Sequence, residues 1–254
     1  MIIQLEELHI YLLVFARMSG FIFFNPLLGR KNIPSQVRAG LVLLLTLLIA
    51  PVLQTPDLSY DSIDMLLLLF RELSVGFICG FVYQIFYYLL LFIGDWMDTE
   101  FGMAMAKVFD PATNIQVSLT GGLLTILFAL YIFATDSHLV IIQIFALSFK
   151  IVPVGAVNLS PEAFQFILEL FIDVFSLVLR LLLPFAVVEF SLQIVLGIMM
   201  KLVPQIHVFV INFQLKQGLG LMMLFLMGPV IASFLNNYIM IMLENLNRAL
   251  LTLA

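Results

Sequence analysis

The chain has 254 residues, of which 63% are hydrophobic and 11% are charged, and its formal net charge is −5. A soluble domain of this length carries charged residues every few positions, whereas whole stretches of this chain carry none. The composition therefore excludes a soluble globular protein and indicates an integral membrane protein. The thinly spread charge forms no patch for nucleic acid. A single cysteine, Cys79, excludes an internal disulfide and a thiolate metal cluster.

The first half of the chain consists of apolar runs separated by short polar segments. The first run, residues 8–28, is about long enough to span a bilayer and holds one charge, Arg17. Because the N-terminus is acidic and no small-residue cleavage site ends this run, we expect it to stay in the mature protein. The second run, residues 39–50, is too short to cross a bilayer alone and is closed by Pro51. A third run covers residues 65–94.

The loops on either side of the second run differ in charge. Residues 29–38 contain three basic and no acidic residues, whereas residues 54–64 contain three acidic and no basic residues. By the positive-inside rule, the first loop is cytoplasmic, and the N-terminus and the second loop lie outside. Beyond this point the charges are too sparse to predict topology.

The second half begins with the longest weakly apolar segment, residues 95–118, and ends in an apolar hairpin. Two further apolar runs follow the weak segment, and Ser160-Pro161 is typical of a helix start. The hairpin is predicted over residues 180–219, with two helices on either side of a polar and aromatic corner. The corner residues are Pro204, Gln205, His207, Phe209 and Phe213. No Pro- or Ser-rich linker divides the chain, so we predict one all-α membrane domain with about six apolar segments.

Proline and glycine recur within the apolar runs. They stand at Gly20, Pro26, Pro51, Gly94, Pro153, Pro184, Pro204 and Pro229. We therefore expect several runs to be short, broken or kinked. Freed backbone groups at membrane depth are tolerated only where they are buried in protein or line a wet cavity. This pattern favours helical hairpins packed against neighbouring subunits. The spacing Gly76-x-x-x-Gly80 allows close helix approach, either as ordinary packing or as a specific interface.

Six charged side chains within the apolar runs are candidates for buried or inter-subunit contacts, because charge is costly there. They are Arg17, Arg71, Glu72, Arg180, Glu189 and Lys216. Arg71 and Glu72 are adjacent and point about 100° apart on a helix, so each needs a partner elsewhere. Glu169 and Asp173 share a helical face with Arg180, which is compatible with a proton relay. Ion pairs between helices or subunits are the favoured interpretation.

The sequence offers no motif for enzymatic chemistry. The three histidines, His9, His138 and His207, are never four residues apart, and neither His-Glu-x-x-His nor Gly-x-Ser-x-Gly occurs. We therefore predict no metal, no cofactor and no catalytic residue. A secondary transporter is the main alternative function, but the two halves show no internal repeat and the charges do not converge in sequence.

Five blocks of residues, in order along the chain, carry a resemblance. They are Phe15-Ala16-Arg17-Met18-Ser19-Gly20 with Pro26 and Ile33-Pro34-x-x-Val37-Arg38-x-Gly40-Leu41; Arg71-Glu72-Leu73-x-x-Gly76-x-x-x-Gly80-Phe81; Gly94 with Gly102-Met103-Ala104-x-Ala106 and Asp110-Pro111; Ser137-His138 with Ser148-Phe149 and Pro153-Val154-Gly155; and Pro204-Gln205-Ile206-His207-Val208-Phe209 with Phe213 and Lys216. Together they resemble the FliR/SctT family, membrane subunits of the export gate in bacterial flagella and type III secretion machines. The chain departs from the family pattern at Asp98, Glu100 and His207, where apolar or small residues, glutamine and asparagine are usual.

The resemblance implies a non-enzymatic subunit of an all-α export gate in the bacterial inner membrane, through which unfolded export substrates pass. It implies co-assembly with FliP- and FliQ-type subunits, association with FlhB- and FlhA-type proteins, and contact with membrane lipid. Residues 1–175 would form a FliP-like part and residues 176–254 a FliQ-like closing hairpin. The flagellar form matches the five blocks better than the injectisome form.

The resemblance also assigns a role to the segment from Gly102 to Ser118. This segment is too polar to span a bilayer and too apolar to be a plain solvated loop. In the family the matching region forms a plug inside the channel, so we predict that it closes the resting pore. The predicted plug residues are Met103, Met105, Val108, Phe109, Asp110, Pro111 and Asn114. The alternative is a surface loop between helices.

Overall fold

The computed structural model describes residues 5–26, 33–53, 62–104, 118–157, 161–202 and 208–254. Within these ranges every regular element is helical, so the prediction of an all-α fold is confirmed. The α-helices are α1 (Leu5–Phe23), α2 (Ser35–Ile49), α3 (Ser62–Glu100), α4 (Leu119–Ala134), α5 (Ser137–Ile151), α6 (Pro161–Leu202), α7 (Val208–Leu226) and α8 (Gly228–Leu251). A 3-10 turn, Ala50–Val52, extends α2.

Two helical stretches in the described ranges are long and apolar enough to cross a membrane, Ser35–Val52 and Ile63–Glu100. The number rises to four if the bent pairs α4–α5 and α7–α8 each count as one span. The stretch over the second apolar run is longer than predicted from residues 39–50. The reason is that α2 begins at Ser35 and the 3-10 turn continues it to Val52.

Proline and glycine interrupt the helices less often than the sequence suggested. A helix ends or begins next to four of the predicted breaks, Pro26, Pro51, Pro153 and Pro229. Gly20, Gly94 and Pro184 instead lie inside α1, α3 and α6, which continue through them. Pro184 has no backbone N–H, so one main-chain hydrogen bond is missing, but the 42-residue helix continues through it. Pro204 lies outside the described residues.

The chain folds into two compact units. The first comprises residues 1–86, 133–171 and 240–254, and the second comprises residues 87–132 and 172–239. The core of the first unit includes Leu13, Met18, Phe21, Val82, Phe86, Phe145 and Leu250. Phe21 of α1 and Phe145 of α5 stack there, with ring centroids 4.1 Å apart.

The second unit has its own apolar core. The core includes Leu90, Ile93, Phe101, Leu124, Phe128, Val178, Phe185 and Leu235. Phe128 of α4 packs edge-on against Tyr238 of α8, with ring centroids 6.2 Å apart. The predicted boundary between FliP-like and FliQ-like parts, after residue 175, falls inside the continuous helix α6. That division stays a prediction.

Large apolar side chains also cover exposed helix faces. On α2 they include Leu43, Leu44, Leu47 and Leu48, and on α6 they include Leu183, Val187, Phe190, Ile194 and Ile198. Exposed apolar rows of this extent mark surfaces that lipid or another protein covers.

Candidate functional site

Arg17 of α1 is fully buried in the first unit. Its Nε donates to Glu72 Oε2 at 2.6 Å. Its Nη1 donates to the carbonyl oxygens of Ser148 at 3.0 Å and Val152 at 2.9 Å. The other carboxylate oxygen, Glu72 Oε1, accepts the Gly155 N–H at 2.9 Å. One ion pair therefore joins α1 and α3 to the C-terminal end of α5, where the Ser148 carbonyl oxygen accepts the Val152 N–H at 2.9 Å as well as Arg17 Nη1.

The buried pair is stabilised by more than its own attraction. Neither side chain of the Arg17–Glu72 pair is exposed, so both charges have lost their hydration. Removal from water costs several kcal/mol per ion, which only good geometry and further hydrogen bonds offset. The backbone partners supply those bonds, and the guanidinium also lies 4.3 Å from the centroid of the Phe149 ring. We interpret the cluster as the point that fixes three helices relative to one another.

A close crossing of α1 and α3 lets these two side chains meet. A Cβ built on Gly76 would lie 2.2 Å from the Arg17 carbonyl oxygen and 2.8 Å from Gly20 Cα. A Cβ built on Gly80 would lie 2.7 Å from Phe24 Cβ. Only glycine permits this separation of the two backbones. The Gly-x-x-x-Gly spacing therefore serves packing within this chain, the first of the two interpretations.

In the second unit, Asp98 near the end of α3 caps the first turn of α4. Its Oδ2 accepts the Ser118 hydroxyl at 2.7 Å and the Leu119 N–H at 2.5 Å. Its Oδ1 accepts both the N–H, at 3.1 Å, and the hydroxyl of Thr120. The side chain is buried, so this anion is stabilised by the N–H groups and the dipole at the start of α4. Sequence reasoning noticed Asp98 only as a departure from the family pattern.

Lys216 of α7 joins the end of α3 to α6. Its Nζ lies 2.6 Å from Glu189 Oε1 and donates to the Glu100 carbonyl oxygen at 3.3 Å. The contact with Glu189 lacks the angles of a hydrogen bond, so charge attraction holds it. The contact with Glu100 places a cation at the C-terminal end of α3, where the helix dipole favours positive charge.

The chain leaves α3 through Phe101 and Gly102, and α7 holds both residues. A Cβ built on Gly220 of α7 would lie 2.4 Å from the buried Phe101 ring, so the ring occupies the space that a side chain would need. Gly102 has a φ of +72°, a conformation that favours glycine, and a Cβ on it would lie 3.4 Å from the Phe213 ring. Because Asp98 holds Ser118, both flanks of the predicted plug segment are fixed to the second unit.

Four of the six predicted buried charges form the two ion pairs described above. Arg71 and Arg180, by contrast, are exposed on the single chain. Neither arginine is therefore buried within this chain, and their pairing with another subunit stays a prediction. The carboxylates Glu169 and Asp173 of α6 are exposed as well.

Most of the predicted plug and corner residues lie outside the residues that the structure describes. Met103 is half-buried at the end of a described range. The residues outside the described ranges are Met105, Val108, Phe109, Asp110, Pro111, Asn114, Pro204, Gln205 and His207. Phe209 lies in the first turn of α7, and Phe213, one turn further on, faces Gly102.

The chemistry of these clusters is structural. Most of their hydrogen bonds run to helix ends, whereas Arg17 Nη2 and the two carboxylate oxygens of Glu189 have no hydrogen-bond partner among the described residues. No group of three or more His, Cys, Asp or Glu side chains in the described ranges could hold a metal ion. The arrangement fixes where helices begin, end and cross.

Comparison with known proteins extends these observations to function. The model of a family described as "Bacterial export proteins, family 1" matches residues 8–242. The chain is 26% identical to the flagellar biosynthetic protein FliR of Escherichia coli (strain K12), over 91% of this chain and 88% of the relative. It is 28% identical to the FliR protein of Bacillus subtilis (strain 168), over 94% of each. It is also 25% identical to Yop proteins translocation protein T of Yersinia pestis, over 84% of each.

Proposed function

This chain belongs to family 1 of the bacterial export proteins, and we propose that it is a structural and gating subunit of a flagellar type III protein export channel in the inner membrane. The family match over residues 8–242 carries the proposal. The two FliR relatives support the flagellar form, and the Yersinia relative supports the wider type III class. We propose a non-enzymatic role, because the buried charges of Arg17, Glu72 and Asp98 are hydrogen-bonded at or just beyond helix ends.

The exposed apolar faces favour assembly with other helical subunits. The outer faces of α2 and α6 carry rows of exposed leucine, valine, isoleucine and phenylalanine, which a lone chain in water could not leave uncovered. We propose that FliP- and FliQ-type subunits cover part of these faces, that FlhB- and FlhA-type proteins associate with the assembly, and that unfolded flagellar substrates pass through it. Arg71 and Arg180 are among the exposed charges that could pair across such interfaces.

Assembly is tested by co-expression. Produced together with FliP- and FliQ-type subunits, the chain is expected to purify as one detergent-stable complex, because partner surfaces cover its exposed apolar faces. Produced alone, or with an unrelated helical membrane protein as the control, it should be recovered in lower yield and lose its monodisperse elution profile on mild heating. A monodisperse, heat-stable monomer from the lone chain would count against an obligate subunit.

Gating is proposed for the segment between Gly102 and Ser118. The observation that supports it is that both flanks are fixed, one by α7 and the other by Asp98. A seal needs fixed ends, because a segment free at either end would spread its apolar side chains over many positions. The sequence of this segment is apolar enough to exclude water.

Two changes should open the seal without preventing assembly. Replacing Met105 and Phe109 with serine, or deleting residues 108–114, is expected to raise the leakage of small solutes or ions across the inner membrane of cells that make the full gate. The matched control replaces Met222 and Phe225, an exposed methionine and phenylalanine on α7, with serine. Leakage is compared at equal levels of assembled complex. If both test variants leak no more than the wild type and the control, the segment is a surface loop and not the seal.

A further inference from the structure

A groove of about 860 Å³ lies in the first unit, between the C-terminal end of α2 and the last turns of α5. Its walls are mainly apolar, with Leu48 at the end of α2, Val52 in the 3-10 turn, Leu147 on α5 and Val154 in the loop that follows α5. Small-molecule sites in proteins commonly enclose roughly 300–1,000 Å³. The groove is therefore of a size that holds a ligand.

The groove opens at the end of a candidate membrane span. The stretch Ser35–Val52 has 18 residues. As a helix it extends about 27 Å, close to the roughly 30 Å thickness of a bilayer's hydrocarbon core. Because Leu48 and Val52 form the last turns of this stretch, the groove lies where hydrocarbon meets lipid headgroups. This conclusion is the same for either orientation of the helix in the membrane.

One basic side chain lines the groove. Among the described residues that line the groove, Lys150 is the one cation, and it is exposed in the last turn of α5. A lysine at this depth lays its methylene groups along apolar surface and extends its ammonium into the headgroup region. Gln143, seven residues earlier and so on the same face of α5 two turns away, adds a hydrogen-bonding amide.

We propose that this groove binds an anionic phospholipid, with an acyl chain between α2 and α5 and the phosphate against Lys150. The apolar wall continues along the span, because Leu44 and Leu48 of α2 and Val52 of the 3-10 turn follow one another at four-residue intervals and all three are exposed. This row provides a track for the chain toward the bilayer centre. The inference stands on the groove and the span, and it does not depend on the export role.

A helix of another subunit is the competing occupant. Such a helix would have to bring a carboxylate to the depth of Lys150, whereas phospholipid headgroups carry their phosphates at that depth in either leaflet. Charge complementarity at the open end of the groove therefore favours lipid.

The test measures retained lipid. The tagged chain is extracted from its native membrane with its associated subunits in a mild detergent, and bound phospholipids are quantified by mass spectrometry. We expect phosphatidylglycerol to be retained over the zwitterionic phosphatidylethanolamine. Lys150→Gln should lower the retained phosphatidylglycerol about fivefold, the effect of one lysine near an anionic surface. The control Lys201→Gln changes an exposed lysine in the last turn of α6 and should retain the wild-type amount.

Two further measurements separate the occupants. Ala146→Trp narrows the groove from its α5 side and should remove phospholipid of any headgroup, while recovery of the chain and its helical content stay at the wild-type level. Lys150→Gln keeps the proposal testable if the tryptophan variant fails to fold. Equal phosphatidylglycerol in the two glutamine variants would overturn the proposal. So would a photo-crosslinker at position 146 that joins the chain to another protein instead of to lipid.

Discussion

Removing either member of the Arg17–Glu72 pair is expected to destabilise the chain by about 3–5 kcal/mol, because an unpaired charge is left buried. Arg17→Ala leaves the Glu72 carboxylate with the Gly155 N–H as its remaining hydrogen-bond partner. Glu72→Ala leaves a buried guanidinium whose remaining hydrogen-bond acceptors are two carbonyl oxygens and one hydroxyl. Both changes also loosen the end of α5.

The measurement is the thermal midpoint of the purified complex, read from the fraction that stays monodisperse after heating. A loss of this size lowers the midpoint by on the order of 10 °C in a chain of about this length. Replacing both residues with apolar ones, Arg17→Met with Glu72→Leu, should cost less than the sum of the single changes, because no charge remains buried. Additive losses would show that the two side chains do not act as a pair.

Arg71→Ala is the neighbouring control. Arg71 precedes Glu72 in sequence but is exposed on the single chain. We expect it to leave the midpoint of the chain unchanged, as most exposed substitutions do. If it reduces the amount of assembled complex while chain stability is kept, its partner lies on another subunit.

Asp98→Ala is expected to destabilise the first turn of α4. The change removes the acceptor of two backbone N–H groups and two hydroxyls at a buried helix end. The loss of a cap and of charge-assisted hydrogen bonds together is on the order of 3 kcal/mol. Asp98→Asn keeps one oxygen acceptor and should lie between the alanine variant and the wild type.

Hydrogen exchange at Leu119 and Thr120 checks this expectation. Opening of the first turn of α4 should become about a hundredfold more frequent in Asp98→Ala, which follows from a loss of about 3 kcal/mol. Asp173→Asn, which changes an exposed aspartate on α6, is the control and should leave exchange at α4 unchanged. Wild-type exchange rates in Asp98→Ala would mean that Ser118, whose hydroxyl oxygen accepts the Gly121 N–H at 2.9 Å, caps the helix without Asp98.

The sequence by itself determined the class of protein and the residues whose charge is unusual within an apolar run. Long apolar runs and sparse charge follow from composition, so the membrane class and the helical fold needed no tertiary information. The start of α6 at Pro161 was equally readable, because proline at a first helical position is a local preference. The charges of Arg17, Glu72 and Glu189 could be singled out because the cost of a charge in an apolar run is a property of that run.

Which of those charges meet was decided only by the tertiary structure. Arg17 pairs with Glu72, 55 positions away, and bonds Ser148, 131 positions away, and no local pattern relates such distant residues. Helix packing also decided that Glu72 is buried and its neighbour Arg71 exposed, since adjacent residues on a helix face different surroundings. The same reason explains Asp98, whose role depends on a helix start that lies 20 positions further along the chain and folds back against it.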